Sequence, residues 1–420
     1  MRIDGTSVLF NMLTRLLQVC AVLLLLVLKS NAQDSVFVGD VPLPDDAASP
    51  PSVSNSFVGT WVGTWDHRRN HILVVEEVTD DGRARVIYAV GRDQHNSGRW
   101  FRRQARVEGN TLTFDDGGFP ARYVLSRSGR LRGVFADNKG FTVLQRQNLP
   151  ELLASPTGDW FTVGTFEYLD TGLIEGGAPV RLAAVLYFPK GPGPFPLALI
   201  HHGSTGSGKN PRAFDQVWSA DWLADVLNAN GWLVAFPQRR GRGLSDGLYD
   251  EGFAVDRSNG YSPDKAIALA GADRALMDAN AALAALKERA DIADGKTLLG
   301  GMSRGGVVAI LQAGHRPEAF SGVLNFVGGW VSEGWGDPEI NPTLFRRIGS
   351  FHGPVLSIYG EDDPYYSVAY SKSYLAEMDP LGADHRLHVV KVSGHGNGHW
   401  ALFVPSLWGD VVDSFLMQVR

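Results

Sequence analysis

Thr297-Leu298-Leu299-Gly300-Gly301-Met302-Ser303-Arg304-Gly305-Gly306-Val307-Val308-Ala309-Ile310 joins two apolar runs through a Gly-x-Ser-x-Gly pentapeptide, Gly301 to Gly305. The first run reads as a buried strand and the second as the start of a helix, so Ser303 falls on a sharp strand-to-helix turn. Such a turn holds its central residue in a strained backbone conformation. A Cβ on either side would strike the neighbouring strand and helix, and small residues avoid that collision. The hydroxyl is then offered to a substrate instead of being packed. A chain with 49 glycines can also spell this pentapeptide as an ordinary glycine turn, so the surroundings have to discriminate.

A serine hydroxyl is a weak nucleophile at neutral pH. It needs an adjacent base, and the base needs a partner that holds its tautomer and stabilises the charge it gains. A carboxylate and a histidine are therefore expected downstream at strand ends, and both are present. Val355 to Tyr359 runs into Gly360-Glu361-Asp362-Asp363-Pro364, and Leu387 to Val392 runs into Ser393-Gly394-His395-Gly396-Asn397-Gly398-His399-Trp400. The chain order is serine, acid, histidine. The residues by themselves leave Glu361, Asp362 and Asp363 open as acids, and His395 and His399 open as bases.

From Asp159 onward strand-like and helix-like stretches alternate, the pattern of a doubly wound, mostly parallel α/β sheet with helices on both faces. Asp159 to Leu169 and Val180 to Pro189 read as an opening hairpin. Pro196 to His201, Trp232 to Pro237, Val323 to Val327, Val355 to Tyr359 and Leu387 to Val392 read as strands. Helices are expected over Phe214 to Asn230, Pro263 to Ala290 and about Pro405 to Gln418.

The nucleophile turn, the acid and the histidine in this order resemble the α/β-hydrolase family of serine hydrolases, from about Asp159 to the C terminus, with a catalytic domain expected over 157–420. The resemblance implies Asp363 as the acid, three residues after Gly360. It implies His399 as the base, closing the Gly396-Asn397-Gly398-His399 turn, with His395 as the alternative. It also implies an oxyanion hole made by the backbone N–H of Ser204, after His202-Gly203, and that of Arg304, after the nucleophile. Arg239-Arg240-Gly241-Arg242-Gly243-Leu244-Ser245 is similar to the family's Arg-Gly-x-Gly-x-Ser loop, whose arginines are expected to bond carbonyls beneath the site. A contact from this loop to a substrate carboxylate is the sharper alternative. The short loops resemble the dienelactone-hydrolase-like branch, which carries cysteine where this chain has Ser303. The prolyl-oligopeptidase-like branch shares the layout.

Two other motifs lead away from this chemistry and fail. Gly203-Ser204-Thr205-Gly206-Ser207-Gly208-Lys209 nearly spells a phosphate-binding loop, but Asn210 stands where Mg²⁺ coordination wants Ser or Thr, and Pro211 interrupts the helix start. His201, His202, His395 and His399 sit on glycine-rich loops with no carboxylate at helical spacing, so neither a metal nor another cofactor is expected. Trp330, Trp335 and Phe345, between Val327 and Val355, are candidate pocket walls; their plainer role is to cover the sheet edge.

The remainder of the chain differs in kind. Arg2 and Arg15 precede the apolar run Leu16 to Leu28, and Ser30-Asn31-Ala32 offers small residues for cleavage, so 1–32 reads as a secretory signal peptide. The run falls short of the roughly 20 residues of a membrane span, and an N-terminal anchor is the alternative. Cys20, the only cysteine, lies inside it. Residues 33–56, rich in Pro, Asp, Ser and Ala, read as a flexible lead-in. From 57 to 147 short alternating runs separated by Asp/Asn/Gly turns predict a small antiparallel β-barrel or sandwich preceding the hydrolase domain. This module holds 15 Arg and Lys against 10 Asp and Glu, read as a solvated face. A net charge of −6 gives no attraction to nucleic acid.

The expected protein is an exported serine hydrolase that cleaves a small-molecule or polymer-linked ester by acyl transfer. The alternatives are a prolyl-oligopeptidase-type peptidase, against which the small β module stands in place of a propeller, and a non-catalytic polymer-binding protein on a hydrolase scaffold.

Overall fold

The structure, a computed structural model, describes residues 35–47, 55–66, 69–93, 96–114, 119–135, 140–392 and 397–419. The expected signal peptide and the alternative base His395 lie outside the described residues. By contacts the chain divides into two compact units, 1–107 with 146–161 and 108–145 with 162–420. The division runs through the stretch read from sequence as a 57–147 module.

The N-terminal strands are β1 (Ser35–Val38), β2 (Val41–Pro44), β3 (Gly59–Trp65), β4 (Arg69–Val78), β5 (Arg83–Val90), β6 (Arg99–Glu108), β7 (Thr111–Phe114), β8 (Ala121–Leu125), β9 (Leu131–Phe135) and β10 (Gly140–Gln147). Strands β3 to β10 form a closed barrel in chain order, with β10 returning to β3. The sequence left barrel and sandwich open, and the closure resolves it. Closure removes the unpaired edges that an open sheet of short strands would expose. Alternation sets the faces: Ala84 and Val86 of β5 are buried while Arg83 and Arg85 point out. Arg85 pairs with Glu76 at 3.0 Å and Arg102 with Asp46 at 2.8 Å, so part of the positive excess is neutralised locally.

One expectation is corrected here. Within the stretch read as a flexible lead-in, β1 and β2 pair as an antiparallel hairpin, and Val38, Val41 and Leu43 are buried with Val62, Ile72, Val74 and Ile87. Composition hid it, because each apolar run spans four residues and prolines interrupt the second.

The second unit contains an eight-stranded sheet built from β11 (Thr165–Glu175), β12 (Ala178–Tyr187), β13 (Leu197–His201), β14 (Leu233–Pro237), β15 (Thr297–Met302), β16 (Phe320–Phe326), β17 (Pro354–Gly360) and β18 (Asp384–Val390). Its order is β11-β12-β14-β13-β15-β16-β17-β18, antiparallel at β11–β12 and β12–β14 and parallel beyond. Strands β13 to β17 are buried almost throughout, as strands covered on both faces must be. The helix Lys265–Lys287 is capped by Asp264, whose side chain accepts from the Ile267 N–H at 3.0 Å, and it buries Ala268, Ala272, Ala275, Ala279 and Ala282 along one face. Spatial order reverses between β13 and β15, and a cleft opens above the carboxyl ends of the strands at such a switch point.

Helix boundaries moved where tertiary hydrogen bonds outbid propensity. The helix expected over Phe214 to Asn230 covers only Asp221–Ala229. The Gln238 side chain takes both the N–H and the C=O of Trp218 at 2.8 Å, and the Phe214 C=O accepts from the Gly243 N–H at 2.7 Å, so these groups bind the loop after β14 instead of a helix. Similarly, Pro405 to Leu407 forms a single tight turn before the helix Gly409–Leu416. No described helix is long and apolar enough to cross a membrane.

Candidate active site

Ser303 stands between β15 and the helix Arg304–His315 at φ 57°, ψ −125°, a region that a residue with a Cβ enters at a cost of about 1–3 kcal/mol. The surroundings hold it there: its N–H donates to the Phe326 C=O at 2.9 Å and its C=O accepts from the Gly306 N–H at 2.9 Å. A Cβ at Gly301 would collide with the Gly305 backbone, and one at Gly305 with the His201 carbonyl. The glycines of the pentapeptide are thus imposed by backbone meeting backbone.

The register His201↔Gly301 brings the turn after β13 alongside the serine. A Cβ on Gly203 would lie 3.1 Å from the Ser303 Cβ. His202 orients this turn: its Nδ1–H donates to the Gly203 C=O at 2.7 Å and its Nε2 accepts from the Arg239 N–H at 3.1 Å. The trans peptide fixes the Ser204 N–H opposite that carbonyl. His201 is buried, with Nε2 2.9 Å from the Gln312 Oε1. Burial, reinforced by the Arg239 charge, holds the His201 pKa down to about 3, and the same causes hold His202 well below its usual value. Neither ring joins a metal-ligand cluster; among the described residues no such group of three or more is present.

These buried rings make stability pH-dependent. Each stays neutral in the fold but takes a proton below about 6.5 once unfolded, so the unfolded state binds more protons and acid favours it. Stability is full above that value and declines toward pH 3. The barrel's His71, with burial holding it to about 3, adds to the effect. Each ring is expected to remove about 2 kcal/mol between pH 7 and pH 5. Urea unfolding at the two pH values reads this, and equal midpoints would contradict it.

The acid and the base come from the loops after β17 and β18. Asp363 is buried, whereas Glu361 and Asp362 are exposed, and Glu361 faces Lys391 at 3.7 Å. The Asp363 Oδ1 accepts from the Tyr365 N–H at 2.8 Å and the Tyr366 N–H at 3.1 Å, and its Oδ2 accepts from the His399 Nδ1–H at 2.8 Å. With its proton on Nδ1, His399 keeps its lone pair on Nε2. The two loops meet at Gly360 and Gly398, where a Cβ on either would strike the other's backbone. Asn397 completes the turn by accepting from the His399 N–H at 3.0 Å.

Ser303, His399, Ser204 and Arg304 all line one cavity of about 820 Å³. The Arg304 side chain turns away from it: Nε donates to the Trp330 C=O at 3.1 Å, Nη1 to the Glu251 C=O at 2.9 Å, and the guanidinium stacks 3.7 Å from the Tyr261 ring. Of the candidate walls, Trp330 and Trp335 line the cavity, while Phe345 is buried against Tyr374 with ring centroids 4.8 Å apart. Sequence reasoning missed Tyr365, Tyr366, Trp400 and Phe403. The two tyrosines follow Asp363 by two and three residues, the signal that could have found them. Burial raises the Tyr366 phenol well above its usual range; its hydroxyl donates to the Gly329 C=O at 2.9 Å and also interacts with Ser303.

A comparison with family models finds no match, and neither does one with curated protein sequences. Among solved structures the chain is similar to a predicted CIB-like hydrolase from Thermoplasma acidophilum, at 18% identity and TM-score 0.41 over 60% of this chain and 97% of that one. It is similar to Est1E from Butyrivibrio proteoclasticus with ferulic acid bound, at 17% and 0.41 over 60% and 98%. It is also similar to a dienelactone hydrolase-like promiscuous phosphotriesterase, P91, from metagenomic libraries, at 18% and 0.42 over 62% and 100%. The eight-stranded order, the switch point above β13 and β15, and the strained serine at the end of β15 give the second unit an α/β-hydrolase fold.

Proposed function

We propose that this protein is an exported serine hydrolase cleaving carboxylic esters through Ser303, His399 and Asp363. The observation that carries the reading is the Asp363–His399 hydrogen bond at 2.8 Å beside a left-handed Ser303 on the same cavity. The Ser303 Oγ attacks the ester carbonyl carbon as its proton passes to the His399 Nε2. The carbonyl oxygen takes the electron pair and is stabilised by the N–H groups of Ser204 and Arg304, each contributing about 3 kcal/mol. Collapse breaks the bond to the alcohol, which leaves with the proton from His399. Water, deprotonated by His399, then attacks the acyl-enzyme and releases the acid, restoring Ser303. Asp363 holds His399 in the tautomer that accepts at Nε2 and stabilises its charged form.

A fluorophosphonate probe should label Ser303 in the folded protein, and nitrophenyl esters should turn over faster than aminoacyl anilides. Absence of labelling would favour a non-catalytic scaffold, and faster anilide turnover would favour a peptidase. Export is supported by the apolar run Leu16 to Leu28 and the small residues before Gln33. N-terminal sequencing of secreted protein should begin at Gln33; an intact N terminus in the membrane fraction would replace export by anchoring.

A further inference from the structure

Ser204 carries one of the two N–H groups that the proposed mechanism aims at the oxyanion, and it lies on a loop that needs bracing. Gly203-Ser204-Thr205-Gly206-Ser207-Gly208 has three glycines in six residues, and such a segment has many backbone conformations of similar energy. A donor lowers the barrier only when it is aligned before the charge develops. On one side of Ser204 the His202 ring holds the Gly203 C=O at 2.7 Å. On the other side the brace is Tyr261, which arrives from a distant part of the chain.

The Tyr261 N–H donates to the Ser207 C=O at 3.2 Å. Gly260, at φ 75°, passes this carbonyl so closely that a Cβ would strike it. The Tyr261 hydroxyl lies 3.2 Å from the Thr205 nitrogen, 3.0 Å from the Thr205 Oγ1 and 2.8 Å from the Tyr249 hydroxyl. Elimination gives each proton its direction. The Glu251 carboxylate, paired with Arg239, only accepts, so Tyr249 donates to its Oε2 at 3.0 Å. Tyr261 therefore donates to Tyr249, and its two lone pairs receive the Thr205 N–H and Oγ1–H. The ring of the same residue covers the Arg304 guanidinium, 3.7 Å from its centre, and Trp330 covers it at 4.6 Å. Arg304 carries the second oxyanion N–H. Tyr261 thus reaches both donors, and it is buried at the wall of the cavity that holds Ser303.

We infer that Tyr261 is a positioning residue that aligns the two oxyanion donors with each other, its hydroxyl bracing the loop of Ser204 and its ring bracing the side chain of Arg304. This rests on the esterase reading above. Tyr261 takes no proton in the reaction, because every bonding position of its hydroxyl is filled. It acts through where the N–H groups point, so its loss weakens the transition state and spares ground-state binding to the aromatic walls.

Tyr261→Phe keeps the ring and removes the hydroxyl. On p-nitrophenyl butyrate kcat should fall about 10- to 100-fold, with KM within about three-fold of wild type. Affinity for an alkyl trifluoromethyl ketone, which forms an oxyanion on Ser303, should fall by the same factor as kcat/KM. Affinity for the corresponding trifluoromethyl alcohol, which forms no adduct, should stand. A merely structural loss weakens both inhibitors together. Thr205→Val removes one bond to the same hydroxyl, so the variant combining both changes should be no slower than Tyr261→Phe alone. Wild-type kcat in Tyr261→Phe, equal weakening of the two inhibitors, or additive losses in the double variant overturns the inference and leaves the esterase reading intact. If Tyr261→Phe does not fold, Thr205→Val decides by the same inhibitor pair: the ketone alone must weaken, and any other result overturns the inference. No turnover by the wild-type protein, with no fluorophosphonate label on Ser303, overturns both.

Discussion

Ser303→Ala is expected to lower kcat for a nitrophenyl ester by about 10⁴- to 10⁶-fold and to abolish fluorophosphonate labelling, with little change in thermal stability. Activity goes because the nucleophile is removed outright; what survives comes from the oxyanion donors and from binding, which still act on a water molecule. Stability persists because alanine keeps the Cβ, so the strained φ of 57° and the glycines packed around it are unchanged. The lost hydroxyl touches Tyr366, whose own hydroxyl retains the Gly329 carbonyl. Purified variant and wild type, compared by ester turnover and by melting temperature, separate these effects. Turnover within ten-fold of wild type would remove Ser303 from the chemistry.

The elbow was legible because its requirements are local: two apolar runs and four glycines lie within fourteen residues. The bond between Asp363 and His399 is not local, yet its signal survived because each residue ends a strand whose apolar pattern is readable. Sequence could not reveal why Asp363 is chosen over Asp362. That choice depends on Gly360 and Gly398 meeting backbone to backbone, and on the Tyr365 and Tyr366 N–H groups receiving Oδ1. Arg242 shows the same limit more sharply. Three arginines in one loop look alike in sequence, and only Glu251 and Asp278, brought in from elsewhere, make two of them structural and leave the third over. The β1–β2 hairpin escaped for a different reason: four-residue strands carry too little periodicity to outweigh proline-rich composition.

His399→Ala is expected to cost about as much as Ser303→Ala, because the three residues act as one device and removing either of these two disables it. Asp363→Asn is expected to cost about 10³- to 10⁴-fold. The reason lies in the hydrogen bonds: an asparagine Oδ1 can still accept from the Tyr365 and Tyr366 N–H groups, but its NH₂ then faces Nδ1 and donates to it. The ring must answer with the opposite tautomer, with its proton on Nε2, where it can no longer take one from serine. Fold and cavity stay in place while the base is switched off, so kcat should fall far more than KM rises. His395→Ala should stay within about ten-fold of wild type on the same ester, since Asp363 already spends Oδ2 on His399 and Oδ1 on two backbone donors. Steady-state kinetics on the three variants discriminate: equal losses at both histidines, or a larger loss at His395, would move the base to the other ring.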